Sequence, residues 1–210
     1  MNTPFDDARY KAFLEGGKVN CSVVNYSEIE TRVFRLEPEF HTTASCSFSD
    51  YFIGEQIIEL GQYNSIYGIN ENKEGYPIIR MNEFNGLFTG KAKLYSNKFS
   101  LDDFNLYSLK KGDILICRTN GNPALVGKSA LVAKDYPYVY ESHLFKIRPI
   151  DKLINSETLA VFLNTKYGKM EVRKFAMQGN QANFSLAKFK ELKIPRFTEL
   201  FGCGPKVSDF

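Results

Sequence analysis

The chain has no tryptophan, two histidines and four cysteines in 210 residues. The cysteines, Cys21, Cys46, Cys117 and Cys203, form no Cys-x-x-Cys pair, and His41 and His143 lie far apart. Zinc sites take ligands in short-spaced pairs, so this pattern argues against a structural metal. Disulfides are not expected in the reducing compartment that the rest of the sequence predicts. No apolar run approaches the ~18 residues of a membrane-spanning helix. The opening stretch, MNTPFDDARYKAFLEGG, begins with acids and lacks an apolar core. It therefore predicts no secretory leader and a cytoplasmic protein. Internal repeats and low-complexity segments are also missing.

Several catalytic patterns fail on spacing. GNPALVGKS resembles a phosphate loop, but Gly121 and Gly127 have five residues between them. The motif needs four there, followed by a helix. Pro123 removes an N–H donor, and the run after Lys128 has strand character. A DNA methyltransferase needs a glycine-rich cofactor loop and an Asp/Asn-Pro-Pro-Tyr/Phe motif. DYPYVY places Tyr136 where the first proline belongs. Ser142 and His143 are adjacent, so on a strand they face opposite ways and make no catalytic pair. Asp102 and Asp103 fit a helix start better than a Mg²⁺ site.

What is present is an ordinary globular composition, 43% hydrophobic and 24% charged, with an uneven charge distribution. Residues 1–60 hold 5 Lys/Arg against 10 Asp/Glu, whereas residues 61–210 hold 22 against 14. A basic second part suits a polyanion partner, although a solvated lysine-rich surface would look the same. The length fits one domain with an appendage. We divide it into an N-terminal extension at 1–50, a main domain at 51–197 and a tail at 198–210.

Within the main domain, residues 51–69 predict one or two strands, and YPIIR a buried strand. Ser100 should cap a short helix whose first turn holds Asp102 and Asp103. Ile114, Leu115 and Ile116 predict a buried strand, and ALVGKSALVA a second one with Gly127 at a bulge or close approach. Residues 139–147 alternate as a single strand. Leu159, Phe162, Leu163 and Tyr167 keep helical spacing behind a cap at Asn155 or Ser156, and Gly168 is a candidate C-terminal signal. A helical turn from Ser185 and a strand ending at Pro195 follow. Strands and helices do not alternate strictly. The fold class is α+β, a twisted mixed β-sheet with flanking helices.

Two polar loops carry the chemistry. The first, TNGNP, lies between Arg118 and Lys128. The second, MQGNQANF, follows Arg173 and Lys174 and precedes Lys188 and Lys190. Asn and Gln can pair with the adenine edge in the major groove, and Arg with guanine. Nearby lysines neutralise phosphates without reading sequence. Asn and Gly are also common turn residues, so either loop alone has an ordinary explanation.

LKKGDILICRTNGN with VGKSALV, then ESHLFKIRP, then FLNTKYGK with MQGNQANFSLAKFKELKIP, resembles the target-recognition domain of Type I restriction–modification specificity subunits. YPIIRMNEF fits the strand near the start of that domain, and the resemblance covers roughly residues 53–197. It implies a non-catalytic subunit that binds double-stranded DNA. It also implies an adenine-N6 methyltransferase partner that uses S-adenosylmethionine, and a restriction/translocase partner that uses ATP and Mg²⁺. The chain itself would need no cofactor. The family's subunits carry two recognition domains and long spacer helices. This sequence shows one such domain and ends in TELFGCGPKVSDF, which fits a half-sized subunit or a truncated or excised domain; in the first case a second specificity half is an expected partner.

On this reading, Arg118, Asn120, Asn122, Gln178, Asn180 and Gln181 are the expected base readers. Arg80, Lys91, Lys93, Lys128 and Lys174 are the expected phosphate contacts. Asn82, Thr119 and His143 complete the expected DNA-binding set. Two other classes stay open: a restriction or modification enzyme fused to this fold, and a protein-interaction module without a DNA role.

Overall fold

The run Ile114–Cys117 is buried at every position. Such a strand must be covered on both faces, which places it at the centre of a layered structure. The computed structural model describes residues 48–176 and 182–197, and there this strand, β7, sits near the middle of a six-stranded sheet. The order is β2 (Ile58–Tyr63), β10 (Leu144–Pro149), β7, β8 (Ser129–Leu131), β5 (Phe88–Thr89) and β4 (Phe84–Asn85). Only β5 and β8 run parallel. A second sheet has the order β6 (Leu94–Ser96), β3 (Tyr76–Ile79) and β9 (Val139–Tyr140), with β3 parallel to β9. A third pairs β1 (Tyr51–Ile53) with β11 (Lys193–Pro195) and so joins the two ends of the domain.

The strand period of two divides the core. Ile114 and Ile116 pack with Phe145, Leu159, Phe162 and Phe175 on the helical side. Leu115 and Cys117 pack with Ile79, Tyr140 and Leu144, toward the three-stranded sheet. The helices are α1 (Leu101–Tyr107), α2 (Ser156–Asn164), α3 (Lys166–Ala176) and α4 (Leu186–Lys190). The fold class is α+β, as the mixed order of elements predicted. Among the described residues, no helix is long and apolar enough to cross a membrane.

The helix starts follow their caps. Ser100 Oγ accepts from Asp103 N at 3.1 Å, and Asp103 returns a bond to Ser100 N at 2.9 Å. This reciprocal box satisfies two otherwise unpaired donors. Asn155 Oδ1 accepts from Glu157 N and Thr158 N at 2.8 and 3.1 Å.

Three local expectations need correction. Residues 139–147 are two strands, because Glu141, Ser142 and His143 turn the chain between β9 and β10. Pro123–Leu125 forms a 3-10 turn, so β8 begins only at Ser129. Gly168 lies inside α3 and ends no helix. A Cβ there would come within 2.1 Å of Phe162 O, so glycine is needed for α3 to pack against the end of α2.

Lys146 is buried on β10 at 1% exposure. Its Nζ donates to Ser108 O at 3.0 Å and lies 4.0 Å from Asp113 and 5.5 Å above the Tyr140 ring. Burial pushes its pKa down to about 8, partly offset by the charge of Asp113. The folded pKa lies below the unfolded value of ~10.4, so between these values the unfolded chain binds more protons. Stability should therefore rise with pH from about 8 to about 10, by up to roughly 3 kcal/mol over the full interval. Urea unfolding of wild type and Lys146→Met across that range checks this. The difference between the two should change in favour of wild type as pH rises, and a constant difference would contradict the assignment.

Candidate nucleic-acid interface

The neck of the first loop is closed by backbone bonds. Cys117 N donates to Lys128 O, and Gly127 N to Cys117 O, both at 2.8 Å. Between them the asparagines shape the chain. Asn120 Oδ1 accepts from Asn122 N at 2.8 Å, and Asn122 Oδ1 accepts from Ala124 N at 3.0 Å, capping the 3-10 turn. Pro123 starts that turn, where its missing N–H costs nothing. Each amide oxygen keeps a second lone pair, and Asn122 presents its NH2 from an exposed position. Asn120 Nδ2 rests 3.6 Å from Met81 Sδ.

The flanks of the second loop meet the first. Thr119 and Asn183 form an antiparallel bridge, and Phe184 N donates to Arg118 O at 2.8 Å. Asn183 N donates across the base of the second loop to Ala176 O at 3.2 Å. The first loop and the segment Ala182–Phe184 that leads into α4 thus lie side by side. Gln178, Asn180 and Gln181 lie outside the described residues.

A cleft opens beside this junction. Arg80 and Asn82 line it from the turn after β3, Thr119 and Asn120 from the first loop, and Glu141 and His143 from the turn between β9 and β10. Buried Glu83 holds Arg80, accepting from its backbone N at 2.9 Å, its Nε at 3.4 Å and its Nη2 at 3.2 Å. Gly90 N donates to Glu83 O at 2.7 Å, which ties the start of the segment bearing exposed Lys91 and Lys93 to that turn. His143 has a side chain 60% exposed, and its carbonyl accepts from Arg118 N at 2.8 Å. Cys117, also against the cleft, has its thiol pushed up to about 11, chiefly by burial, which keeps it protonated and a poor nucleophile.

Five of the sequence-predicted residues, Arg80, Asn82, Thr119, Asn120 and His143, therefore share one cleft. Arg118 is close by and half-buried, with its guanidinium carbon 5.3 Å above the Tyr63 ring. The Tyr63 hydroxyl accepts from Leu186 N, which fixes the ring. Lys128 is half-buried where the first loop returns to β8. Lys174 is a correction: it is 8% exposed on α3, between Val172 and Phe175 of the core, and is not among the solvent-facing lysines expected to meet phosphate. The sequence reading missed Tyr63, Met81 and Glu141. The signal for Glu141 was the polar break Glu141-Ser142-His143 between two apolar runs.

The fold and the cleft together define an α+β domain that gathers hydrogen-bonding groups from separate turns at one loop junction. The chain belongs to the family described as Type I restriction modification DNA specificity domain, whose model matches residues 55–196. It is thus a DNA-binding domain with a role in target recognition. No curated protein matches the chain. Among solved structures, it is similar to a chain from work on complex assembly and conformational transition of the type I R-M system. That likeness has 16% identity and a TM-score of 0.48, and it covers 90% of this chain and 43% of the other. The HsdS subunit from Thermoanaerobacter tengcongensis is similar at 14% identity and a TM-score of 0.47, with coverage of 90% and 43%. The Type-I restriction-modification system S subunit from M. genitalium follows at 12% identity and a TM-score of 0.45, with coverage of 69% and 33%. The chain spans less than half the length of each of these proteins.

Proposed function

We propose that the chain reads one half of a split double-stranded DNA site and supplies target specificity to a Type I restriction–modification complex. The observation that carries this is the bridge between Thr119 and Asn183, which joins the two polar loops beside the cleft. Arg118, Asn120 and Asn122 act as base readers from the first loop, with Asn82, Thr119 and His143 beside them. Gln178, Asn180 and Gln181 are proposed readers from the second. Arg80, Lys91, Lys93 and Lys128 meet phosphates. The chain is non-catalytic and binds no cofactor. An adenine-N6 methyltransferase subunit supplies S-adenosylmethionine chemistry, and a restriction/translocase subunit supplies ATP- and Mg²⁺-dependent cleavage. A second specificity half completes the site, and the complex works in the cytoplasm.

Selection from random duplexes by the full chain should enrich one short motif, with binding that weakens as salt rises. Neither enrichment nor salt dependence would end this reading. Arg118→Ala should cost about 1–3 kcal/mol of binding and relax one base position. Lys91→Ala should reduce the salt slope by about 0.9 and leave the motif unchanged. Methylation or cleavage by the purified chain alone would contradict the non-catalytic assignment.

A further inference from the structure

One group in the cleft repels phosphate. Glu141 carries the carboxylate among the six side chains named from its walls, and its backbone is fixed on both sides. Its N donates to Ile79 O at 3.0 Å, and its O accepts from Leu144 N at 3.1 Å. Oε1 accepts from Met81 N at 3.3 Å, and Oε2 lies 3.6 Å from His143 Nδ1. The carboxylate is therefore aimed and half-buried, with lone pairs still open. Burial raises its pKa, offset in part by the Met81 N–H and by the charges of His143 and Arg80. A neighbour that donates a hydrogen bond stabilises this ion, and a phosphate does the opposite.

The major-groove edges decide which neighbour fits. Guanine presents N7 and O6 acceptors, adenine an N7 acceptor beside its amino group, and thymine an O4 acceptor. An ionised carboxylate only accepts, so it meets a like partner in each of these. Cytosine presents the N4 amino group, a donor with no acceptor beside it on its own base, whereas adenine's amino group lies between its own N7 and the paired thymine's O4. We propose that Glu141 is a specificity-determining residue that reads a cytosine through its N4 amino group. This rests on the DNA-recognition reading above. The neighbouring Asn120 and Asn82 then read the adjoining base pairs, and His143 orients the carboxylate from the solvent side.

The experiment compares wild type with Glu141→Gln by selection from random duplexes, followed by titration of the selected duplex and its variants. Glutamine keeps an acceptor for Met81 N, so a fold close to wild type is expected, checked by the melting temperature. Wild type should require cytosine at one position by about ten- to hundredfold. Glu141→Gln should lose that requirement there alone, with an unchanged salt slope. A second measurement needs no variant: wild type should lose a similar factor on a duplex whose selected cytosine is replaced by a pyrimidinone lacking the 4-amino group. If wild type selects a motif that Glu141→Gln reproduces in full, or tolerates the pyrimidinone, the cytosine assignment is overturned and DNA recognition stands. Equal weakening on every sequence by a folded Glu141→Gln would make Glu141 a positioning residue for the Met81 turn, which also overturns it. If wild type selects nothing, the recognition reading falls and takes this assignment with it.

Discussion

Replacing Asp113 by alanine should destabilise the domain by about 3–5 kcal/mol, the range for breaking a buried ion pair from one side. Asp113 is fully buried at the entrance to β7. Its Oδ1 accepts from Arg148 Nε at 2.7 Å, and Oδ2 accepts from Arg148 Nη2 at 3.0 Å and from Lys110 N at 2.9 Å. The two-pronged arginine contact is the geometry in which a charged pair is strongest. Lys146 adds a second cation at 4.0 Å from Oδ2. Alanine would leave Arg148 and buried Lys146 without their common counter-ion, and Lys110 N without an acceptor. The hydrogen bonds alone underestimate the cost, because the stranded charges must also be desolvated or neutralised. Asp113→Asn should cost nearly as much, since an amide keeps the shape without the charge. Urea unfolding at pH 7 measures both. A loss under about 1 kcal/mol for Asp113→Ala would show that water reaches the cluster. In that variant Lys146 should also titrate below its wild-type value, having lost the charge that partly offsets its burial.

How far the sequence could lead is visible in the same cluster. Ile114 to Ile116 predicted a buried strand because a short continuous apolar run bounded by turn residues has few other solutions. By its neighbours alone, Asp113 after Gly112 reads as ordinary turn chemistry, and its partner Arg148 lies on a strand far along the chain. Local signals, such as the Ser100 box and the Asn155 cap, are chemically complete within a few residues and were legible for that reason. The break at Glu141–His143 was less legible: three successive polar residues do interrupt the pattern, but the strand-like residues on either side read as one strand across so short a gap. That break forms a wall of the cleft, so the missed turn and the missed Glu141 have one cause. A shared surface for the two loops was expected from their like composition, but the contact that joins them could not be read. The Thr119–Asn183 bridge depends on how α2 and α3 return the chain to β7, a property of packing that no local pattern encodes. Lys174 failed in the opposite sense: its charge predicted exposure, while its place between Val172 and Phe175 on α3 buries it.

The other large effect belongs to Gly127, at the exit of the first loop. Its φ of +82° lies in the left-handed region, and a Cβ would stand 2.2 Å from Val172 Cγ1 on α3. A side chain there meets two costs at once, about 1–2 kcal/mol for the backbone conformation and about 1–3 kcal/mol for overpacking. Gly127→Ala should therefore lose roughly 2–5 kcal/mol of stability by urea unfolding. Val172→Ala removes a buried side chain at a cost of its own, but in the same chain it relieves the clash, so the double variant should lose less than the sum of the two single losses. The consequence for DNA differs from that of Asp113. Gly127 N closes the neck of the loop through its bond to Cys117 O, so a shift there moves the frame that holds Arg118, Asn120 and Asn122. Gly127→Ala should weaken selection across several base positions together, where Arg118→Ala relaxes one. If Gly127→Ala unfolds at the wild-type urea midpoint, the close approach to Val172 is not a feature of the folded chain. If it is destabilised yet selects the wild-type motif unchanged, the loop's reading geometry does not depend on its neck.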